Sequence, residues 1–302
     1  MGATAMTDET PRTPKITQAM IAAYDEYTHL TLDRRGFMAK LTALAGSATA
    51  AAAIAPLIGA SKASAQIVDP QDERVTTVWA QFPTAGAEMK AYVAKPTDAE
   101  GTLPGVLVIH ENRGLNAHIQ DVARRLALEG FVAVAPDFLS ADGGTPPDED
   151  KAREMIGALD GAKTVERAIA AREWAASETG TTGQVGAVGF CWGGGLVNSL
   201  AVADPELSAG VAYYGRQPDA ADVAKIKAPM LLHYAGLDER INAGIDAYKA
   251  ALEAAGVEHE IVVHEGVNHA FNNDTSAARY DKAAADSAWE QTVAFLKERL
   301  GG

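Results

Sequence analysis

Cys191 is the only cysteine in 302 residues, and it stands in the stretch Gly189-Phe190-Cys191-Trp192-Gly193. That pattern is G-x-C-x-G, the thiol counterpart of the G-x-S-x-G turn that presents a nucleophile between a strand and a helix. Glycines two residues to either side leave room for a strained backbone. A thiol at a helix N-terminus gains acidity from the helix dipole and from a nearby imidazole. Asp238, in "GLDER", and His269, in "GVNHAF", follow in the chain order nucleophile, acid, base. In that set His269 takes the thiol proton, while Asp238 fixes the imidazole tautomer and stabilises the imidazolium. Each residue also has a plain structural reading: Cys191 as a core residue, Asp238 as a helix N-cap, His269 as a loop histidine. Glu239, next to Asp238, is a second candidate for the acid.

Other chemistries fit less well. His259, His264 and His269 recur every five residues, a step that alternates faces along a strand, and no H-E-x-x-H occurs. The elbow lacks the G-K-[ST] ending of a phosphate loop. One cysteine offers no internal disulfide, no Cys-based zinc cluster and no resolving thiol. Neither a metal nor an organic cofactor is expected. A formal charge of −14 argues against nucleic acid or anionic lipid as the main partner, because phosphates would be repelled.

Three distant residues can meet only if the chain folds them to one edge. Short apolar runs, "GVLVIH", "FVAVAP", "VGAVGF", "AGVAYY", "MLLHYAG" and "EIVVHEG", alternate with amphipathic segments near 117–128, 162–177, 194–202, 243–255 and 277–299. This is the signature of a parallel sheet wrapped by helices. An opening β-hairpin is expected over 74–96, around Gly86. "SADGGTPPDEDK" reads as a flexible loop at the rim. Cys191, Asp238 and His269 all fall just past C-terminal strand ends, where open α/β sheets bind ligands.

The N-terminal region has a different character. Around Arg34-Arg35 the chain reads "DRRGFMAK", then a mildly apolar run from Leu41 to Ala60, then Lys62 and Ala63-Ser64-Ala65. Charged region, apolar region and small-residue site are the layout of a bacterial export signal, and the motif resembles the twin-arginine class. The resemblance implies passage through the twin-arginine translocation machinery, cleavage before Gln66 and a periplasmic mature protein without a stable membrane anchor. Retention of the run as an inner-membrane anchor is the alternative, since it is just long enough to span. Residues 1–65 are thus assigned to the export signal and N-terminus, and 66–302 to one α/β domain.

From about Thr76 to Leu300 the chain resembles the dienelactone hydrolases, the carboxymethylenebutenolidase branch of the α/β-hydrolase fold. The segments that carry the resemblance are "VLVIHENRGLN", "VAVAPDF", "VGAVGFCWGGG", "VAYYG", "HYAGLDE" and "NHAF". The resemblance implies hydrolysis of a small-molecule ester or lactone, with Cys191, Asp238 and His269 as the triad and Glu111 holding the resting cysteine. It also implies an oxyanion hole from the backbone N–H groups of Trp192 and Asn112. Arg113, Tyr213 and Arg216 are candidate substrate contacts beyond strand ends. The chain departs from the pattern at the arginines that hold a substrate carboxylate, since neither Pro136–Ala141 nor His269–Asn273 contains one. Neutral esters or lactones are therefore the expected substrates. A periplasmic binding protein that keeps a hydrolase pocket without catalysis is the competing class.

Overall fold

The computed structural model describes residues 15–29, 31–59, 67–84 and 86–301. They fall into two compact units, within Met1–Ala60 and within Ser61–Gly302. The expected cleavage motif Ala63-Ser64-Ala65 and Gln66 lie outside the described residues.

The first unit holds three helices, α1 (Gln18–Thr28), α2 (Arg34–Ala45) and α3 (Ala48–Ile58). The Phe37 ring stacks on Tyr27 at 4.9 Å and meets Tyr24 edge-on at 5.7 Å. Asp33 caps α2 by accepting the Gly36 N–H at 2.6 Å. The apolar run from Leu41 onward is not one rod. Gly46 adopts a left-handed conformation (φ 80°) that ends α2, and Ser47 caps α3 through the Ala50 N–H. A helix that stops at such a glycine cannot pass its hydrogen-bond ladder to the next one. Among the described residues no single helix is long and apolar enough to cross a membrane, and α2 and α3, which pass that test together, are bent by 112°.

The second unit is an α/β-hydrolase fold. Its elements run β1 (Val75–Thr84), β2 (Ala87–Pro96), β3 (Leu103–Ile109), α4 (Ala117–Leu128), β4 (Val132–Asp137), α5 (Glu149–Gly157), α6 (Gly161–Glu178), β5 (Thr181–Phe190), α7 (Trp192–Ala203), β6 (Ala209–Tyr213), β7 (Met230–Ala235), α8 (Glu239–Asn242), α9 (Ile245–Ala255), β8 (His259–His264) and α10 (Lys282–Leu300). The eight strands lie in the order β1-β2-β4-β3-β5-β6-β7-β8. β2 is antiparallel to β1 and β4, and every other pair is parallel.

Period-two alternation sends side chains to two cores. Val106 and Val108 face one layer, with Ile119, Val122 and Leu126 of α4 and Leu296 of α10. Leu107 and Ile109 face the other, with Ala168 and Ala171 of α6 and Val197 and Leu200 of α7. Truncating one of these leucines to alanine costs about 2–5 kcal/mol. Just past the expected mature end, the Val68 N–H donates to Asp121 Oδ1 at 2.8 Å, and Arg124 Nε donates to the Val68 carbonyl at 3.0 Å. Both side chains are buried on α4.

The loop expected over 140–151 is irregular over 143–148, but Glu149–Lys151 already belong to α5, and hydrogen bonds tie the stretch down. Asp137, buried at the end of β4, accepts from the N–H of Leu139 and from both the N–H and Oγ1 of Thr145, at 2.8–3.0 Å. Asp148 then caps α5 through the N–H groups of Asp150 and Lys151. Gly, Pro and Asp mark turns, but here the acidic side chains close those turns onto themselves.

Candidate active site

Cys191 sits between the end of β5 and the start of α7 with φ 55° and ψ −113°. A non-glycine residue rarely holds such a backbone, and its persistence means the surroundings dictate it. A Cβ on Gly189 would lie 2.2 Å from the Gly193 carbonyl oxygen, and one on Gly193 would lie 2.4 Å from that of Ile109. The elbow therefore closes only where side chains are missing. Its N–H donates to the Tyr213 carbonyl at 3.0 Å, tying the turn to β6. Cys191 is buried, at 9% exposure, and occupies the N-cap position at the positive end of α7 with no capping bond from its side chain.

His269 and Asp238 arrive from the loops after β8 and β7. Those loops are joined by the Leu237 N–H to the Val267 carbonyl at 3.0 Å. His269 Nδ1 lies 2.5 Å from Asp238 Oδ2, and an imidazole nitrogen lies within 4.8 Å of Cys191 Sγ. Since Nδ1 faces the carboxylate, Nε2 is the nitrogen turned to sulfur. The other Asp238 oxygen accepts the Ile241 N–H at 3.2 Å and caps α8. The cap reading and the acid reading of Asp238 thus hold together, one per oxygen, while Glu239 is exposed. Burial opposes charge on His269, but the Cys191 thiolate and hydrogen bonds to Asp238 and Cys191 outweigh it, raising the imidazole to about 10. Burial is the largest influence on Asp238 and opposes its charge, but the hydrogen bond and charge of His269, the Arg240 charge and the Ile241 N–H together outweigh it, so the carboxyl is lowered. His264, by contrast, bonds His233 at 3.2 Å, and His259 bonds the Val257 carbonyl at 2.8 Å, so the three evenly spaced histidines take separate partners.

Glu111, Asn112 and Arg113 occupy the turn after β3. Glu111 is buried, and its carboxylate accepts from Asn273 Nδ2 at 2.6 Å. Asn273 follows His269 by four positions, so one short loop supplies both the base and the partner of Glu111. Trp192 is the first residue of α7, and its N–H is among the four that a helix leaves without an internal acceptor. The Trp192 ring stacks on His110 at 5.2 Å. His110 donates from Nδ1 to the Glu111 carbonyl at 2.7 Å and accepts the Phe138 N–H at Nε2. Burial lowers its pKa and favours the neutral ring, as that pairing requires. The turn is held from outside too: the Leu115 N–H donates to Thr145 Oγ1 at 2.9 Å, and that hydroxyl donates to Asp137. α5 packs Ala152 and Ile156 with Leu139 against Trp192.

The substrate-contact candidates separate. Tyr213 is corrected: it is fully buried and its hydroxyl bonds Thr292 Oγ1 at 2.7 Å, on the α10 side of the sheet. Tyr214, in a left-handed conformation (φ 40°), puts its ring 4.8 Å from His269. The two tyrosines share one apolar layer with their rings 6.0 Å apart, and it is Tyr214, just past the end of β6, whose ring lies against the imidazole. Arg113 is buried and paired with Glu149 of α5 at 3.3 Å. Arg216 is exposed and, with Cys191 and Trp192, lines a cleft of about 410 Å³. His110, Thr145 and Asn273 escape sequence reasoning because they meet Phe138, Leu115 and Glu111, which lie far from them in the chain.

Residues 89–300 match the model of the dienelactone hydrolase family. The chain belongs to the dienelactone hydrolase family. A carboxymethylenebutenolidase-like protein of Escherichia coli O157:H7 is 33% identical over 260 residues, covering 80% of this chain and 94% of that one. Protein usf of Aquifex pyrophilus is 36% identical over 230 residues, covering 73% and 97%. Among solved structures, a dienelactone hydrolase-like protein of Klebsiella pneumoniae superposes with a TM-score of 0.67 at 31% identity, covering 73% of this chain and 97% of that one. This dienelactone hydrolase family member is a hydrolase, and its fold is the one these neighbours share.

Proposed function

We propose that the protein hydrolyses an ester or lactone through Cys191, His269 and Asp238, by way of a thioester acyl-enzyme, and that it works in the periplasm after twin-arginine export. The observation that carries the catalytic reading is the strained elbow residue Cys191 facing an imidazole whose other nitrogen is held by a buried carboxylate. His269 Nε2 takes the thiol proton and the thiolate attacks the carbonyl carbon. The oxyanion collects the N–H groups of Trp192 and Asn112, and collapse expels the alkoxide, which leaves with the proton from His269. Water, deprotonated by the same imidazole, then cleaves the thioester and releases the acid. Glu111, fixed by Asn273, serves the resting enzyme as a second acceptor for the thiol proton.

Cys191→Ala and His269→Ala should each lower kcat by orders of magnitude, and their double variant should lose little more, because triad members act as a unit. Iodoacetamide should inactivate by labelling the single thiol. Full activity after stoichiometric labelling would end the nucleophile reading. For export, Arg34→Lys with Arg35→Lys should retain the protein in the cytoplasm, and the wild-type periplasmic form should begin near Gln66. An intact N-terminus on membrane-bound protein would instead support the anchor.

A further inference from the structure

The cleft beside Cys191 continues along one side of α7. Trp192, Gly195 and Ser199, at i, i+3 and i+7, are half-buried on that side, and all three line the cleft. Seven residues at 1.5 Å per residue give a trough about 10 Å long, with the thiol at its head and Ser199 at its far end. Leu159 and Val165 form the facing wall.

The polar groups along this trough are already engaged. Ser199 Oγ donates to the Gly195 carbonyl at 3.1 Å, and Thr164 Oγ1 donates to the Asp160 carbonyl at 2.7 Å. Gln217 Nε2 donates to the Ile241 carbonyl at 3.0 Å. The charges in the lining are Arg216 and Asp219, opposite in sign and three residues apart. A charged guest would meet one attraction and one repulsion. An apolar guest would leave water for the side chains of Leu159, Val165, Trp192 and Leu196.

Resting on the nucleophile reading of Cys191, we propose that this trough holds one arm of the scissile ester, an extended and uncharged hydrocarbon or aryl chain, and that Gly195 and Ser199 set its usable length. Gly195 opens the middle of the trough by having no side chain. A Cβ there would sit 3.4 Å from the Arg216 nitrogen, ordinary contact that the fold tolerates. Ser199 opens the far end.

The test uses two ester series, p-nitrophenyl esters of lengthening acyl chains and acetates of lengthening alcohols. In wild-type protein kcat/KM should rise with length in one of them. Ser199→Leu should cut the preference for the longest over the shortest member about tenfold or more, the size of effect that a misplaced methylene has in an apolar pocket. Gly195→Ala should move the optimum the same way by a smaller step, and a thermal melt establishes that each variant is folded. A flat length profile in both series, or a profile unmoved in both folded variants, would overturn the proposal. Wild-type protein inert toward every ester and lactone, with Cys191 still open to alkylation, would overturn it together with the catalytic reading beneath it.

Discussion

His269 Nδ1 and Asp238 Oδ2 are 2.5 Å apart, in a setting where both side chains are almost wholly withdrawn from water. A contact that short between an imidazole N–H and a carboxylate fixes the ring orientation with Nε2 turned toward the sulfur. Asp238→Asn should preserve the size of the group and the α8 cap while offering an amide where a charge is needed. We expect kcat to fall by about 10³–10⁴, with a melt close to wild type. A loss below tenfold would make Asp238 a capping residue only.

The same pair predicts how stability depends on pH. His269 is raised from 6.5 to about 10 in the folded chain. A raised group stabilises the fold fully below its unfolded value and loses that contribution as pH climbs through its folded value. Melting temperature should therefore decline from about pH 6.5 to 10 beyond what a protein without this pair shows. Removing the thiolate in Cys191→Ala removes the largest raising influence on the imidazole, so the alkaline decline should be shallower in that variant. Parallel melting curves for the two proteins across this range would contradict the assignment. Asp238 is lowered, so its contribution is present above the ordinary carboxylate range and fades as acid takes the pH through its folded value.

Thr145→Val tests the brace on the turn that carries Glu111 and Asn112. Its hydroxyl accepts the Leu115 N–H and donates to Asp137, so the variant strands the Leu115 N–H and takes one donor from Asp137, which keeps the N–H groups of Leu139 and residue 145. Leaving a buried donor or acceptor unmet costs about 1–3 kcal/mol. The melt should drop accordingly, and kcat/KM should fall about ten- to a hundredfold as the turn loosens beside the reacting carbonyl. Unchanged kinetics with a lowered melt would make the brace purely structural.

Substrate charge can be tested directly. Arg113 is committed to Glu149, and the stretches Pro136–Ala141 and His269–Asn273, where the resemblance leads one to expect arginines, contain none. A buried bidentate Arg–carboxylate contact is worth about 2–4 kcal/mol, so its absence should reduce discrimination in favour of acids by tens- to hundredsfold. The methyl ester of a carboxylate-bearing lactone should show the higher kcat/KM. Preference for the free acid, abolished by Arg216→Ala, would reverse the conclusion.

The elements that were legible in the sequence are those whose signal is local. Val106 to Ile109 alternate between two apolar layers, and Gly189 to Gly193 carry their own steric requirement, so strands and elbow stand out. α5 did not, because its stability comes from Asp148 at its start and from Ala152 and Ile156 meeting Trp192, a partner forty residues away in sequence. Tyr213 and Tyr214 are alike as letters, and the left-handed backbone of Tyr214 is imposed by tertiary neighbours. Asn273 could have been suspected from its place after His269, but its partner, Glu111, comes from the turn after β3, 162 positions earlier in the chain.

The elbow also separates two kinds of constraint on evolutionary change. Around position 191 the close contacts run from main chain to main chain, Gly189 against Gly193 and Gly193 against Ile109, with the Cys191 amide fastened to Tyr213. The mount is built without the reactive atom. A serine in the same mount would inherit the address and the imidazole but form an oxygen ester in place of a thioester, so the reagent can be exchanged while the tooling stays fixed. Drift at the glycines is closed off by folding, whereas at 191 folding asks only for a small side chain and chemistry decides which one.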